Sequence, residues 1–354
     1  MHATPSRTAN LLTLSAPRDD EELEDLLSRP SSDVIDALRR APGDVIVLGA
    51  GGKMGPSLTT MLRRASESVS DGRTITAVSR FSSGDVAEHL ERRGVRIVRA
   101  ELGDRDAIDH LPDAPNVIYM AGQKFGTHDL PSRTWAVNTL VPAMVAERYA
   151  RSRIVAFSTG NVYPLSPASG RASRENDALT PIGEYANSCV GRERVLEHVS
   201  RTYATPMAII RLNYAVDLRY GVLVDIAHHI LAGEPVRLDM GYVNVIWQGD
   251  ANAQAIRSLP LAESPPIAIN VTGPERLSVR ATATRLGELM GRAPQFEGAE
   301  APDALLSDTT LAQSLFGLPT VPADTLIEWV ANWVARGGTR LGKATKFEVR
   351  DGRF

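Results

Sequence analysis

The sequence predicts an α/β protein: a doubly wound parallel (Rossmann-type) sheet with a smaller C-terminal substrate lobe. Three observations lead there. From residue 44 onward, short continuous apolar runs alternate with stretches of helical periodicity, the pattern of strands buried on both faces and joined by crossover helices. The first run ends in a glycine-rich turn, Gly49-Ala50-Gly51-Gly52-Lys53-Met54-Gly55, at which a helix begins. After residue 212 the alternation loosens, and prolines at 260, 265, 266, 294 and 302 punctuate the chain.

Composition agrees. A chain of 354 residues with 43% apolar content is long enough for one large domain or two smaller ones. Its net charge of −3, from 39 basic and 42 acidic residues, argues against the basic surface that sequence-blind nucleic-acid binding needs. The single cysteine, Cys189, allows no intrachain disulfide and no multi-cysteine zinc site, and fits a reducing compartment. The histidines show no metal-ligand spacing, and the adjacent His228 and His229 face different ways on a helix. No apolar run reaches the ~18 residues of a membrane helix. Met1–Asp20 lacks the continuous apolar core of a secretory signal. The expectation is a cytoplasmic protein acting on a small molecule, with no membrane or nucleic-acid partner and no metal.

Element by element, residues 1–42 read as a helical extension, with helices over 19–27 and 33–40 separated by Pro30. Residues 43–212 read as a dinucleotide-binding domain. Its strands are expected at Val45–Leu48, Thr74–Val78, Val95–Val98, Val117–Met120, Ile154–Phe157 and Met207–Ile210. Helices are expected at Met54–Arg64, Val86–Arg93, Thr134–Ala150 and Glu184–Thr202. Residues 213–340 read as a smaller substrate lobe, with helices near Leu223–Leu231, Asp250–Ser258, Val279–Met290 and Thr325–Ala335 and short strands at Val243–Trp247 and Ile267–Val271. The tail, 341–354, alternates polar and apolar residues over Phe347–Arg350 and reads as an edge strand.

The glycine turn has a physical purpose. Glycine permits the tight turn, lets the backbone approach a pyrophosphate and lets the helix pack on its strand, while the helix N-terminus offers N–H groups to the phosphates. The GxGxxG spacing fails, because Met54 stands at the third glycine; GxxGxxG fits, as Gly49, Gly52 and Gly55. That spacing, a later tyrosine on a long helix and a lobe after the sixth strand resemble the extended short-chain dehydrogenase/reductases, the NAD(P)-dependent epimerases, dehydratases and reductases. The resemblance spans roughly 44–335.

The resemblance implies a nicotinamide cofactor. Where an acidic residue selecting NAD would end the second strand, the chain has Ser79-Arg80. Arg80 suits a 2′-phosphate, and Lys53 adds a second cation, so NADP is expected ahead of NAD. Glu101 and Leu102 align with the segment facing adenine. Ala121, Gly122, Gln123 and Lys124 align with the turn under the cofactor ribose, Lys124 matching a lysine of some epimerases. Asn138 matches a common asparagine, and Ser158 joins the cofactor set.

For catalysis, the resemblance places Thr159 on the reacting oxygen and Tyr185 as acid/base, within a Tyr-x-x-x-Lys pattern. Residues four apart share a helix face, so the lysine lowers the phenol pKa from ~10. Here Cys189 stands in the lysine's place. Three readings stay open: a replacement cation, with Lys124 ahead of Arg192, which lies seven residues from Tyr185; chemistry at Cys189 itself; or cofactor binding without turnover. Gln123, Asn161, Tyr163, Asn213 and Tyr214 are the expected substrate contacts. The arginine that binds pyrophosphate in nucleotide-sugar enzymes aligns with Val243, which cannot do so, although Arg237 or Arg219 remain substitutes. Trp247 replaces a histidine in the same segment. The resemblance also implies a homodimer through two long helices.

Overall fold

The computed structural model describes residues 15–82, 84–126, 129–343 and 345–353. The first fourteen residues and Phe354, included in the readings of the N-terminus and tail, lie outside them.

Seven parallel strands form the central sheet, in the order Ile267–Val271, Met207–Leu212, Arg153–Thr159, Asn116–Tyr119, Val45–Leu48, Ile75–Ser79, Arg96–Arg99. All four residues of Val45–Leu48 are buried, as a central strand covered on both faces requires. From it the chain first winds outward through the Ile75 and Arg96 strands. It then returns to the other side through the Asn116 strand. The crevice between the Val45 and Asn116 strands is therefore the topological switch point, where such sheets bind ligands. The Ile267–Val271 strand, expected in the smaller lobe, instead pairs with Met207–Leu212 and completes the sheet. Its apolar residues face a neighbouring strand as well as the core, so they bury more in the sheet than they would in a separate lobe.

The helix expected over Thr134–Ala150 is interrupted. It runs as Pro131–Trp135, a π-helical segment Ala136–Leu140, and Val141–Arg148. Pro142 has no N–H to give the carbonyl four residues earlier, at Asn138, and its ring crowds that carbonyl; a widened turn accommodates both. The Val243–Trp247 strand also divides, into Tyr242–Val243 and Ile246–Trp247, each pairing with a different partner.

The tail forms no strand among its described residues. They make turns, with Thr345 and Phe347 buried. Thr345 donates through its N–H and hydroxyl to Asp225 Oδ2, at 2.7 and 2.6 Å. These bonds hold the segment across the molecule instead of along a sheet edge.

Helices Asp20–Leu27 and Ser32–Arg40 pack on the chain's own body. Leu23 and Leu27 join the core of the smaller lobe, and Val34 and Leu38 join the core on one face of the sheet. The buried Arg73 donates to the carbonyls of Leu38 and Ala41 at 2.8 and 3.1 Å, a cation satisfying the end of the second helix.

Candidate active site

The Gly49–Gly55 turn sits at the switch point, and its glycines are required there. Gly49 has φ +91°, and a Cβ on it would lie 2.7 Å from Ala121 N. A Cβ on Gly55 would lie 2.2 Å from Ala50 O. A Cβ on Gly122, in the facing turn, would lie 2.6 Å from Arg192 Nη2. Helix Gly55–Val69 begins without a side-chain cap and with a proline in its first turn, and Gly55 N donates to Gly52 O at 3.2 Å within the glycine turn. A Cβ-free wall ending at an uncapped helix suits a pyrophosphate.

Two joined cavities run from this turn. The outer one, about 670 Å³, is lined by Ser79, Arg80, Glu101, Leu102 and Ala121. The inner one, about 310 Å³, is reached by Gly52, Lys53, Met54, Thr159 and Tyr185 among others. Gly49, Gly52, Gly122 and Gln123 border both. At the outer end Arg80 lies 3.4 Å from Glu101, both exposed. Lys53 does not point there. Its ammonium donates to Ala215 O at 2.9 Å and stands 3.9 Å over the Tyr220 ring, so it belongs to the inner end. The expectation that Lys53 helps to recognise a 2′-phosphate is corrected: its backbone is in the turn, but its side chain crosses to the segment after the Met207 strand.

At the inner end Tyr185, on helix Gly183–Tyr203, has its phenol hydrogen-bonded to the Thr159 hydroxyl and the Cys189 thiol. Thr159 Oγ1 also accepts from Asn161 N and Nδ2, at 3.2 and 3.0 Å. Withdrawal from solvent pushes the phenol far above its ordinary value; Arg192 and the Thr159 hydroxyl pull the other way without cancelling it. Cys189 is fully buried, and burial pushes its thiol up as well.

Arg192 is the cation behind this pair. It is buried and donates to Asn138 O at 3.2 Å, Phe157 O at 2.8 Å and Asn138 Oδ1 at 2.7 Å. Asn138 O is the carbonyl that Pro142 leaves without a helical partner, so the π segment both frees an acceptor and seats the guanidinium. Sequence reasoning preferred Lys124; Arg192 pulls down the Tyr185 phenol and, ahead of Lys124, the Cys189 thiol, so it stands beside Lys124 as a candidate for the lysine's replacement. The proline four residues after Asn138 was the available signal. Lys124 borders the same inner cavity and donates to Thr345 O at 3.2 Å. The buried Thr345 thereby draws the tail against the site, which the strand reading did not anticipate. Tyr220 is a further wall of this cavity.

Other expected residues sort by geometry. Gln123, Asn161, Asn213 and Tyr214 border the inner cavity. Tyr214 adopts φ +43°, a left-handed backbone that turns the chain at the strand end. Ser158 borders it too, while donating to Glu193 Oε1 at 2.6 Å. Asn138 and Tyr163 do not. Asn138 is fully buried and binds the Gln123 backbone through both amide atoms at 2.9 Å, so it shapes the turn from behind. Tyr163 accepts from Arg211 at 2.6 Å and donates to Asn270 Oδ1 at 2.8 Å, inside a buried network completed by the Arg211–Glu193 pair. Its ring faces that network and not the cavity, which corrects its assignment as a substrate contact. Val243 is buried in the lobe core and Trp247 packs edge-on to Trp329, at 5.6 Å.

The model of the NAD dependent epimerase/dehydratase family matches residues 45–232. No curated protein sequence matches the chain. Among solved structures, an epimerase of Methanothermobacter thermautotrophicus is 18% identical with TM-score 0.70, covering 88% of this chain and 100% of that one. The UDP-glucuronic acid 4-epimerase of Bacillus cereus, in complex with a fluorinated UDP-glucuronic acid and NAD, is 16% identical with TM-score 0.69, covering 83% and 99%. The UDP-glucose 4-epimerase of Thermus thermophilus, in complex with NAD, is 21% identical with TM-score 0.66, covering 83% and 99%. These likenesses show the fold. The family match covers more than half of the chain, which therefore belongs to the NAD dependent epimerase/dehydratase family.

Proposed function

We propose, from that membership, that this chain binds a nicotinamide dinucleotide along the cleft and acts as an oxidoreductase or epimerase on a small sugar-like alcohol or ketone. One observation carries the reading: the hydrogen-bonded Tyr185 and Thr159 hydroxyls border the cavity that opens from the glycine turn. The cofactor, when bound, supplies hydride exchange. Tyr185, held protonated by its withdrawal from solvent, donates a proton to a substrate oxygen and takes it back in the reverse direction. Thr159 orients the same oxygen. Arg192 stabilises the phenolate in place of the lysine, through fixed charge in a site screened from water.

The NAD bound in the neighbouring structures supports NAD as the cofactor. Arg80 supports NADP as a second reading, against the charge of Glu101 beside it. Cys189 supports a further reading, cofactor binding without turnover. Titration with NAD(H) and NADP(H), followed by turnover assays of wild type and Tyr185→Phe, tests all three. Turnover lost in the variant with dinucleotide affinity kept supports catalysis by Tyr185. Binding without turnover over a broad sugar panel supports the non-catalytic reading, and no binding of either dinucleotide overturns both. Exposed Trp135 and Leu140 on the π-interrupted helix, and Tyr203 on its neighbour, support a homodimer across those helices, which light scattering measures.

A further inference from the structure

We propose that Lys53 recognises an acidic group on the substrate itself, so that the inner cavity takes a small sugar-type hydroxy or keto acid in preference to a neutral sugar or a nucleotide diphosphate. This rests on the reading of that cavity as the reaction site.

The argument starts with the charge balance around Lys53. Its ammonium is held by the Ala215 carbonyl and the Tyr220 ring face, and among the described residues it makes no ion pair with a carboxylate. The acids that face it are already engaged. Asp217 pairs with Arg219 at 2.7 Å, and Asp225 accepts from Thr345 N and Oγ1. Lys124 enters the same cavity, and the two ammonium groups repel each other. Glu348 and Asp225 offset part of the charge on Lys124, and Arg219 adds to the repulsion at Lys53. Withdrawal from solvent brings Lys53 to about 7 and Lys124 to about 8. A bound anion would compensate both cations at once, with a charge-assisted hydrogen bond to Lys53.

Cofactor phosphate is a poorer fit for this ammonium. The glycine turn would hold the cofactor phosphates through its backbone, whereas the Lys53 side chain crosses to the 215–220 segment. Among the described residues, the three positions weighed for a nucleotide diphosphate offer it no unpaired cation. Val243 is buried, Arg237 pairs with Asp239 at 3.0 Å, and Arg219 is tied to Asp217 and Glu24, both at 2.7 Å. Lys53 and Tyr185 line one cavity of about 310 Å³, so an acidic group held by Lys53 sits close to the reacting carbon.

The test measures binding to the full chain loaded with NAD+, by calorimetry, using matched probes: galactose with galacturonate, glucose with glucuronate and gluconate, and UDP-galactose. The expected result is binding of at least one acid with its neutral partner and UDP-galactose on the order of 100-fold weaker, the scale of one charge-assisted hydrogen bond. Lys53→Met should remove that preference while NAD+ affinity stays unchanged, and Lys53→Arg should retain part of it. Three results would overturn the inference: a neutral sugar or UDP-galactose bound as tightly as any acid, no acid bound by the NAD+-loaded protein, or a loss in Lys53→Met that falls on NAD+ instead of the acid. Failure of NAD+ itself to bind would overturn the underlying functional reading as well, and is measured first.

Discussion

The two ends of the cleft are built from different materials. The outer end is glycines that permit close approach and a rim of exposed side chains such as Arg80 and Glu101. The inner end is side chains in a tight enclosure, where Tyr185, Cys189, Arg192, Lys53 and Lys124 determine one another's charge. A backbone site tolerates exchange of its neighbours, because N–H groups do not depend on residue type. A side-chain site does not: where the resemblance expects a lysine after Tyr185, this chain has Cys189, with buried Arg192 behind it. The contrast predicts that variants of the inner end act on chemistry and pH, and variants of the outer end on cofactor affinity.

The largest effect is expected at Tyr185. Tyr185→Phe removes the proton donor, and turnover should fall on the order of 10²–10⁴-fold in kcat. NAD(H) affinity should hold, since the glycine turn is untouched. A variant that keeps full activity would move the chemistry away from this helix and dissolve the contrast.

Next comes the cation behind it. Arg192→Met takes the guanidinium from Asn138 O and Phe157 O, while Asn138 Oδ1 keeps its bond from Gln123 N. Orphaned buried acceptors of this kind cost roughly 3–5 kcal/mol together, visible as a lower urea midpoint. Cys189→Lys sharpens the point. Restoring the family lysine alone should not restore ordinary behaviour, because its ammonium would be placed beside buried Arg192. Stability should drop at neutral pH and recover as the new lysine deprotonates. Cys189→Ser should leave activity largely intact, and a strong loss there would instead favour chemistry at the thiol.

Lys53 gives the inner end a pH signature. Its value falls from 10.5 in the unfolded chain to about 7 in the fold. Between those values the unfolded chain holds the extra proton, so stability rises with pH across the window and is lowest below 7. Lys124, at about 8, acts in the same direction over the upper part of the range. Lys53→Met should therefore abolish the rise between pH 7 and 8 and roughly halve it above 8, where Lys124 still contributes. Urea titrations at stepped pH read both segments.

The same contrast explains what could be read from the sequence. The sheet and the glycine turn were legible because each follows from periodicity or from a local pattern; Tyr185 and Thr159 were proposed through the family resemblance, and both border the inner cavity. The seventh strand was visible as Ile267–Val271, but its place was not, since pairing with the Met207 strand is a long-range event. Side-chain direction was the main loss. Lys53 lies in the turn by sequence and in the inner cavity by geometry. Arg192 looked too distant along its helix until Pro142 and the π segment brought an acceptor to it. Tyr163 follows the family pattern in sequence, yet the Arg211–Glu193 network claims its hydroxyl.

The smallest effect belongs to the outer end. Arg80 and Glu101 are an exposed pair at 3.4 Å, with Arg80 64% and Glu101 58% exposed. Such pairs contribute about 0–1 kcal/mol, so Arg80→Ala should leave stability nearly unchanged. Its value lies in cofactor choice. If the guanidinium meets a 2′-phosphate, the variant loses about tenfold in NADP affinity, the scale of one partly solvated charge-assisted contact, with NAD unaffected. If NAD is the cofactor, Arg80 has no phosphate to meet and both affinities stay within about twofold, because backbone groups carry the binding. Glu101→Gln separates these cases further: removing its charge should raise NADP affinity, and do so more in the presence of Arg80 than in its absence. A double-mutant cycle over the two residues, measured with both dinucleotides, therefore tests whether this end contributes anything beyond its backbone.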